Sequence, residues 1–193
     1  MALDQSTAER ILALVEQVPP PLALLAIEGH SAAGKSSLAS LVQGSRTDVT
    51  VVQTDDFYRP LDPGYRDTLD AAGGYAEYYD WQRLEAQVLS PLRAGRSARY
   101  QRYNWQRNSL GEWAEVKPSG LVIVEGCYSA RPELRDYYDA IVVVTAASAA
   151  REHRQHLRSD ARTDWLIRWD AAERLYMERC HPESYADLVV SGD

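Results

Sequence analysis

Lysine is nearly missing from this sequence: Lys35 and Lys117 are the only two among 21 basic residues, and the rest are arginine. A lysine kept inside a glycine-rich stretch of so lysine-poor a chain marks a place that uses a compact, flexible point charge. Cysteine is scarce too. Cys127 and Cys180 show neither C-x-x-C nor zinc-ligand spacing, so redox and structural-zinc chemistry have no support and both read as small apolar residues. Long apolar runs are also absent. The longest, Leu22 to Ile27 and Ile141 to Val144, fall far short of the roughly 20 residues a membrane-spanning helix needs. No charged-then-apolar leader pattern opens the chain, which predicts a cytoplasmic protein. The net charge of -7 argues against general attraction to nucleic-acid polymers, and it leaves self-association into a homo-oligomer open.

What is present fits one globular domain spanning 1–193: 45% of the residues are hydrophobic and 25% charged, enough to bury a core. Ser6-Thr7-Ala8-Glu9 reads as a capping box opening a helix that Pro19, Pro20 and Pro21 stop. Four short aliphatic runs follow, at Leu22 to Glu28, Val49 to Thr54, Leu121 to Glu125 and Ala140 to Thr145, with a weaker fifth at Ala186 to Val190. Near-continuous apolar strands separated by helical stretches predict an α/β fold, a five-stranded parallel sheet with helices on both faces. Helices are expected over Lys35 to Val42, over Trp81 to Ala94 with a disturbance at Pro91, and over Thr163 to Cys180. The last puts Trp165, Trp169, Ala172, Tyr176 and Cys180 on one face, which the periodicity assigns to packing rather than to a ligand. Alternating polar and aromatic residues around Asn108-Ser109-Leu110-Gly111 predict an inserted β-hairpin over 97–117, and 147–162 reads as a helical lid.

Gly29-His30-Ser31-Ala32-Ala33-Gly34-Lys35-Ser36, followed by Ser37, matches the P-loop pattern G-x-x-x-x-G-K-[ST] between a predicted strand and a predicted helix. The glycines let successive N–H groups point at phosphate oxygens, and the helix N-terminus adds its positive end. Lys35 is placed to reach the β- and γ-phosphates of ATP, and the Ser36 hydroxyl to ligate Mg²⁺. His30 reads as filler of a variable loop position.

Ligands of open α/β sheets bind beyond the carboxyl ends of the strands. Here those ends carry the loop at Gly29, then Thr54-Asp55-Asp56, then Glu125-Gly126, and finally Arg151, Arg154 and Arg158 on one helix face. Acids beside a triphosphate and arginines over it are what phosphoryl transfer uses. Asp55 is the candidate general base and a metal-shell carboxylate, Glu125 a second metal-shell carboxylate. Asp56, Tyr58, Asp80, Tyr100, Trp105 and Arg107 are the candidate contacts for the acceptor. Asp70-Ala71-Ala72-Gly73 matches the D-x-x-G of GTPases by letters but follows no apolar strand, and it reads as a turn.

Taken together, the loop, Thr54-Asp55-Asp56-Phe57-Tyr58-Arg59-Pro60, Tyr79-Asp80-Trp81, Val124-Glu125-Gly126 and the late arginines make the chain resemble the uridine kinase and nicotinamide riboside kinase group of P-loop kinases. Phosphoribulokinase and bacterial pantothenate kinase are more distant relatives. The resemblance runs from about Leu22 to the end. It implies transfer of the ATP γ-phosphate to a small-molecule hydroxyl, with Asp55 as base, Asp80 on ribose hydroxyls and Tyr100 near the nucleobase. It also implies Ser36 and Glu125 in the Mg²⁺ shell and Arg151, Arg154 and Arg158 as lid arginines. Two departures concern the acceptor and the lid: Trp105 stands where a pyrimidine-reading histidine is usual, and Arg158-Ser159-Asp160-Ala161-Arg162 replaces the usual Arg-Gly-Arg run. A non-nucleoside acceptor such as pantothenate or a sugar, or a regulatory NTPase without organic acceptor, are the alternatives. The absence of an Asn-Lys-x-Asp run counts against a guanine-reading switch.

Overall fold

The computed structural model describes residues 3–158 and 163–193; the side chains of Arg158 and Thr163 and residues 159–162 lie outside that description. Five strands, β1 (Leu22–Glu28), β2 (Val49–Gln53), β5 (Gly120–Glu125), β6 (Ala140–Thr145) and β7 (Leu188–Ser191), form one sheet in the order β2-β5-β1-β6-β7. Every pairing in it is parallel. Strands β3 (Ala98–Asn104) and β4 (Ser109–Val116) form a separate antiparallel hairpin, as the alternating segment predicts.

Side chains of a strand alternate between faces, and here both faces are covered. Leu25 and Ile27 of β1, with Ile123, Val142 and Val144, pack beneath α1 (Gln5–Val15) and α2 (Lys35–Ser45). Leu24, Val122 and Val124 face the other way, onto Phe57, Leu84, Leu92, Tyr100 and Tyr176. Burying each such aliphatic side chain contributes roughly 1.5–3 kcal/mol before entropy is charged. The second layer is built from α3 (Pro63–Thr68), α4 (Ala71–Glu77), α5 (Trp81–Leu84) running through one π turn (Glu85–Leu89) into α6 (Ser90–Arg93), the hairpin and α8 (Thr163–Cys180). The π turn lies just before Pro91, whose missing N–H interrupts the regular helical ladder there. Helix α7 (Ser148–Arg158) follows β6.

Three local expectations are corrected. The cap of α1 is Asp4, whose Oδ1 accepts the Thr7 N–H at 3.0 Å, because its carboxylate stands one turn ahead of that orphan donor; Ser6 lies inside the helix. Asp70 is not a turn residue but the cap of α4, accepting the Gly73 N–H at 2.8 Å. Strand β2 stops at Gln53, and Thr54–Phe57 coils into a 3₁₀ turn, so neither aspartate sits on extended chain.

Candidate active site

The phosphate loop leaves β1 at Gly29, whose φ is +146° and where a Cβ would lie 2.2 Å from the Val144 carbonyl oxygen. Only glycine lets the chain pass that close to β6. Ala32 holds φ at +60°, a left-handed conformation that a non-glycine residue keeps only when its surroundings hold it. The holder is Arg154, which donates to the Ala32 carbonyl at 3.1 Å and to that of Gly192 at 2.6 Å. The loop then enters α2, whose first residue, Lys35, is buried and folds its Nζ back onto the His30 carbonyl at 2.8 Å. Ser36 and Ser37 follow in the first turn of α2, both exposed.

Beside the loop, the ends of β5 and β2 are pressed together. Gly126, with φ +146°, meets the Thr54 side chain so closely that a Cβ would lie 1.7 Å from its Oγ1. That approach brings Asp55 up to Glu125, and Ser36 Oγ donates to Glu125 Oε1 at 2.9 Å. Asp55 opens onto a cleft of about 300 Å³ lined by the loop, both strand ends, and the rings of Tyr58, Trp105, Tyr128, Trp165 and Trp169. Desolvation by the surrounding cleft walls pushes the Asp55 carboxyl up to about 6; Lys35 opposes the shift, and Glu125, Glu173 and Asp56 add to it.

Such an excess of hard oxygen donors is what a Mg²⁺ ion would relieve, and Ser36, Glu125 and Asp55 fit that ion by donor type. Among the described residues no group of three His, Cys, Asp or Glu side chains forms a metal cage.

Of the residues singled out from sequence, Ser31, Ala32, Gly34, Lys35, Ser36, Asp55, Tyr58, Trp105 and Glu125 line the cleft. Others point elsewhere. Asp56 accepts the Tyr100 hydroxyl at 3.1 Å and lies 3.6 Å from Arg102, so it braces the hairpin, and Tyr100 is buried against Phe57. Asp80 caps α5 through the Arg83 N–H and lies 3.6 Å from Arg59. Arg107 is exposed at the hairpin turn. Arg151 is buried, 3.6 Å from Asp170, Arg154 donates to the loop at the Ala32 carbonyl, and neither lines the cleft. Arg158 falls outside the described side chains. His30 is turned toward α8, with Nδ1 3.6 Å from Glu173.

Two buried carboxylates escaped the sequence reading. Glu28, directly before the loop, accepts N–H groups of Gly29 at 2.8 Å, Tyr128 at 3.1 Å and Ala130 at 2.8 Å, and the Tyr176 hydroxyl at 2.9 Å. Burial nevertheless keeps it above the usual carboxylate range. A lone acid ending an apolar run was its signal. Glu173 of α8 accepts the Ser31 N–H at 2.9 Å, the Ser31 hydroxyl and the Trp169 indole N–H. Burial pushes it up, but the adjacent His30 ring, Lys35 and Ser31 outweigh that and hold it below the usual range. Its signal was its position four residues after Trp169, on the aromatic face. Trp165 and Trp169 do pack, onto Tyr58 and Tyr78, and their rings also wall the cleft.

The sequence matches no family model and no curated protein. The fold has solved counterparts. One is a protein from Bacillus stearothermophilus named as a possible uridine kinase, with a TM-score of 0.75 and 20% identity over 97% of this chain and 98% of that one. A second is a candidate fructose transport system kinase from a Silicibacter species, at 0.68 and 23% over 98% and 99%. A third is a D-glycerate 3-kinase from Cryptococcus neoformans, at 0.62 and 16% over 91% and 87%. The chain therefore has the α/β fold of P-loop kinases, with a five-stranded parallel sheet and a small antiparallel hairpin.

Proposed function

We propose that this protein is an ATP-dependent kinase that transfers the γ-phosphate to a hydroxyl of a small metabolite, with a ring-bearing, nucleoside-like compound as acceptor. The observation that carries this reading is the convergence of Lys35, the Ser36–Glu125 pair and the Asp55 carboxyl on one cleft whose far wall is aromatic. In this assignment the loop N–H groups and Lys35 hold the phosphates. Asp55 takes the proton of the acceptor hydroxyl as its oxygen bonds to the γ-phosphorus and the bond to the β–γ bridging oxygen breaks, leaving ADP. Ser36, Glu125 and Asp55 would hold Mg²⁺ bound with the nucleotide, and that ion would compensate the phosphate charge. Glu28 and Glu173 keep the loop in place and do not touch the reacting atoms.

The cleft also favours one kind of acceptor. Trp105 and Trp165 offer flat apolar surface beside the buried Tyr58, which suits stacking on a ring. Among the described lining residues Lys35 is the only basic one, and the triphosphate claims it. A carboxylate or phosphate on the acceptor would face the carboxylates of Asp55 and Glu125, which favours an uncharged ring. An ADP-release screen of nucleosides, nicotinamide riboside, pantothenate and phosphorylated sugars tests the proposal. Release that depends on a ring-bearing acceptor without acidic groups is expected; release at one rate with every compound would indicate a regulatory NTPase instead.

A further inference from the structure

Glu173 is fully buried, and its place next to a phosphate loop works against phosphate affinity, because a carboxylate repels the triphosphate that the loop binds. What it contributes is connection. One of its oxygens accepts the Ser31 N–H, while the other takes both the Ser31 hydroxyl and the Trp169 indole N–H. The Trp169 Nε1 also lies 3.3 Å from Ser31 Oγ, which closes the triangle. From Trp169 the contacts continue outward: its ring is 5.5 Å from that of Tyr58, and Tyr58 is 4.9 Å from Trp105 on the hairpin. One unbroken path of hydrogen bonds and rings thus runs from the phosphate loop to the aromatic wall across the cleft.

A buried carboxylate cannot give up a donor cheaply, and buried Tyr58 touches the rings of both Trp169 and Trp105, so a shift of Trp169 is passed to the half-exposed Trp105. We propose that Glu173 is a positioning residue that latches Ser31 to Trp169, so that nucleotide seated on the loop sets the aromatic wall that receives the acceptor. This rests on the reading of the loop as a nucleotide site.

The test uses the full chain labelled with 5-fluorotryptophan, with each ¹⁹F resonance assigned by a single Trp→Phe variant, titrated with MgADP while binding is followed by calorimetry. In the unsubstituted protein the Trp169 and Trp105 resonances should both shift as nucleotide saturates. Glu173→Gln removes the charge that opposes phosphate and should still bind MgADP in the calorimeter. At saturation its Trp105 shift should be lost. Ser31→Ala, which removes only the hydroxyl links and keeps the proposal testable if Glu173→Gln fails to fold, should reduce both shifts. Unchanged shifts in a saturated variant, or a Trp169 resonance that stays still while the unsubstituted protein binds MgADP, would overturn the latch and leave the kinase reading standing. No binding of MgADP to the unsubstituted protein would overturn both.

Discussion

At the scale of single residues, charge decides the outcome. Lys35 has no neighbouring lysine to substitute for it, and Arg154 of α7, which reaches the loop, is committed to the carbonyls of Ala32 and Gly192. Lys35→Ala should therefore abolish turnover in a coupled ADP assay, and an unchanged kcat would remove the basis of the proposed function. The two adjacent aspartates divide as their contacts do. Asp55 opens onto the cleft, whereas Asp56 turns to Tyr100 and Arg102. Loss of a general base typically costs ~10² to 10⁴ in rate, so Asp55→Asn should lose that order in kcat while nucleotide still binds. Asp56→Asn keeps an oxygen for the Tyr100 hydroxyl and should lose far less. If the Asp56 variant is the inactive one under saturating substrates, the base assignment is reversed.

Elements place those residues, and one element offers a test that separates stability from binding. Asp80 begins α5 as its cap, and its contacts with Arg59 and Arg83, at 3.6 and 3.9 Å between partly exposed groups, add little. Asp80→Ala should cost about 1 kcal/mol in urea denaturation, the ordinary loss of a cap. A rise in acceptor KM with ATP KM unchanged would give Asp80 the sugar-holding role that the family resemblance implies; equal changes in both would leave it a cap. The strands were legible because sequence-local apolar runs make them, and the loop because its spacing is itself local. Less legible was anything set by how elements meet. Helical periodicity found the Trp165 and Trp169 face, yet only the seating of α8 against Tyr58 and the hairpin turns that face into a cleft wall. Arg151 and Arg154 share a helix face as their spacing says, but what Arg154 holds, the carbonyls of Ala32 and Gly192, lies far away in sequence.

For the whole molecule, the sheet order matters most, and no local pattern encodes it. With β1 between β5 and β6, and β2 outside β5, the loop, Glu125 and Asp55 arrive at one edge, where α8 walls the cleft. Glu28 ties these parts together. It collects N–H groups from the loop and from the segment after β5, and a hydroxyl from α8, so β1, β5 and α8 are fixed through one buried carboxyl. Oε1 faces the Gly29 and Tyr128 N–H groups, neither of which can accept. Oε2 faces the Ala130 N–H together with the Tyr176 hydroxyl and, at 3.4 Å, the Ser129 hydroxyl. Glutamine in this place must turn its NH₂ toward a backbone donor whichever way it is flipped, which leaves a buried polar pair unsatisfied. Glu28→Gln should then lower stability by about 2 kcal/mol in urea denaturation, with no change in the slope of the transition. Tyr176→Phe, which removes the hydroxyl and leaves the backbone donors in place, should lose about half as much. An unchanged midpoint in Glu28→Gln would mean that the carboxyl is held protonated and donates to Tyr176, in which case Tyr176→Phe becomes the more damaging of the two.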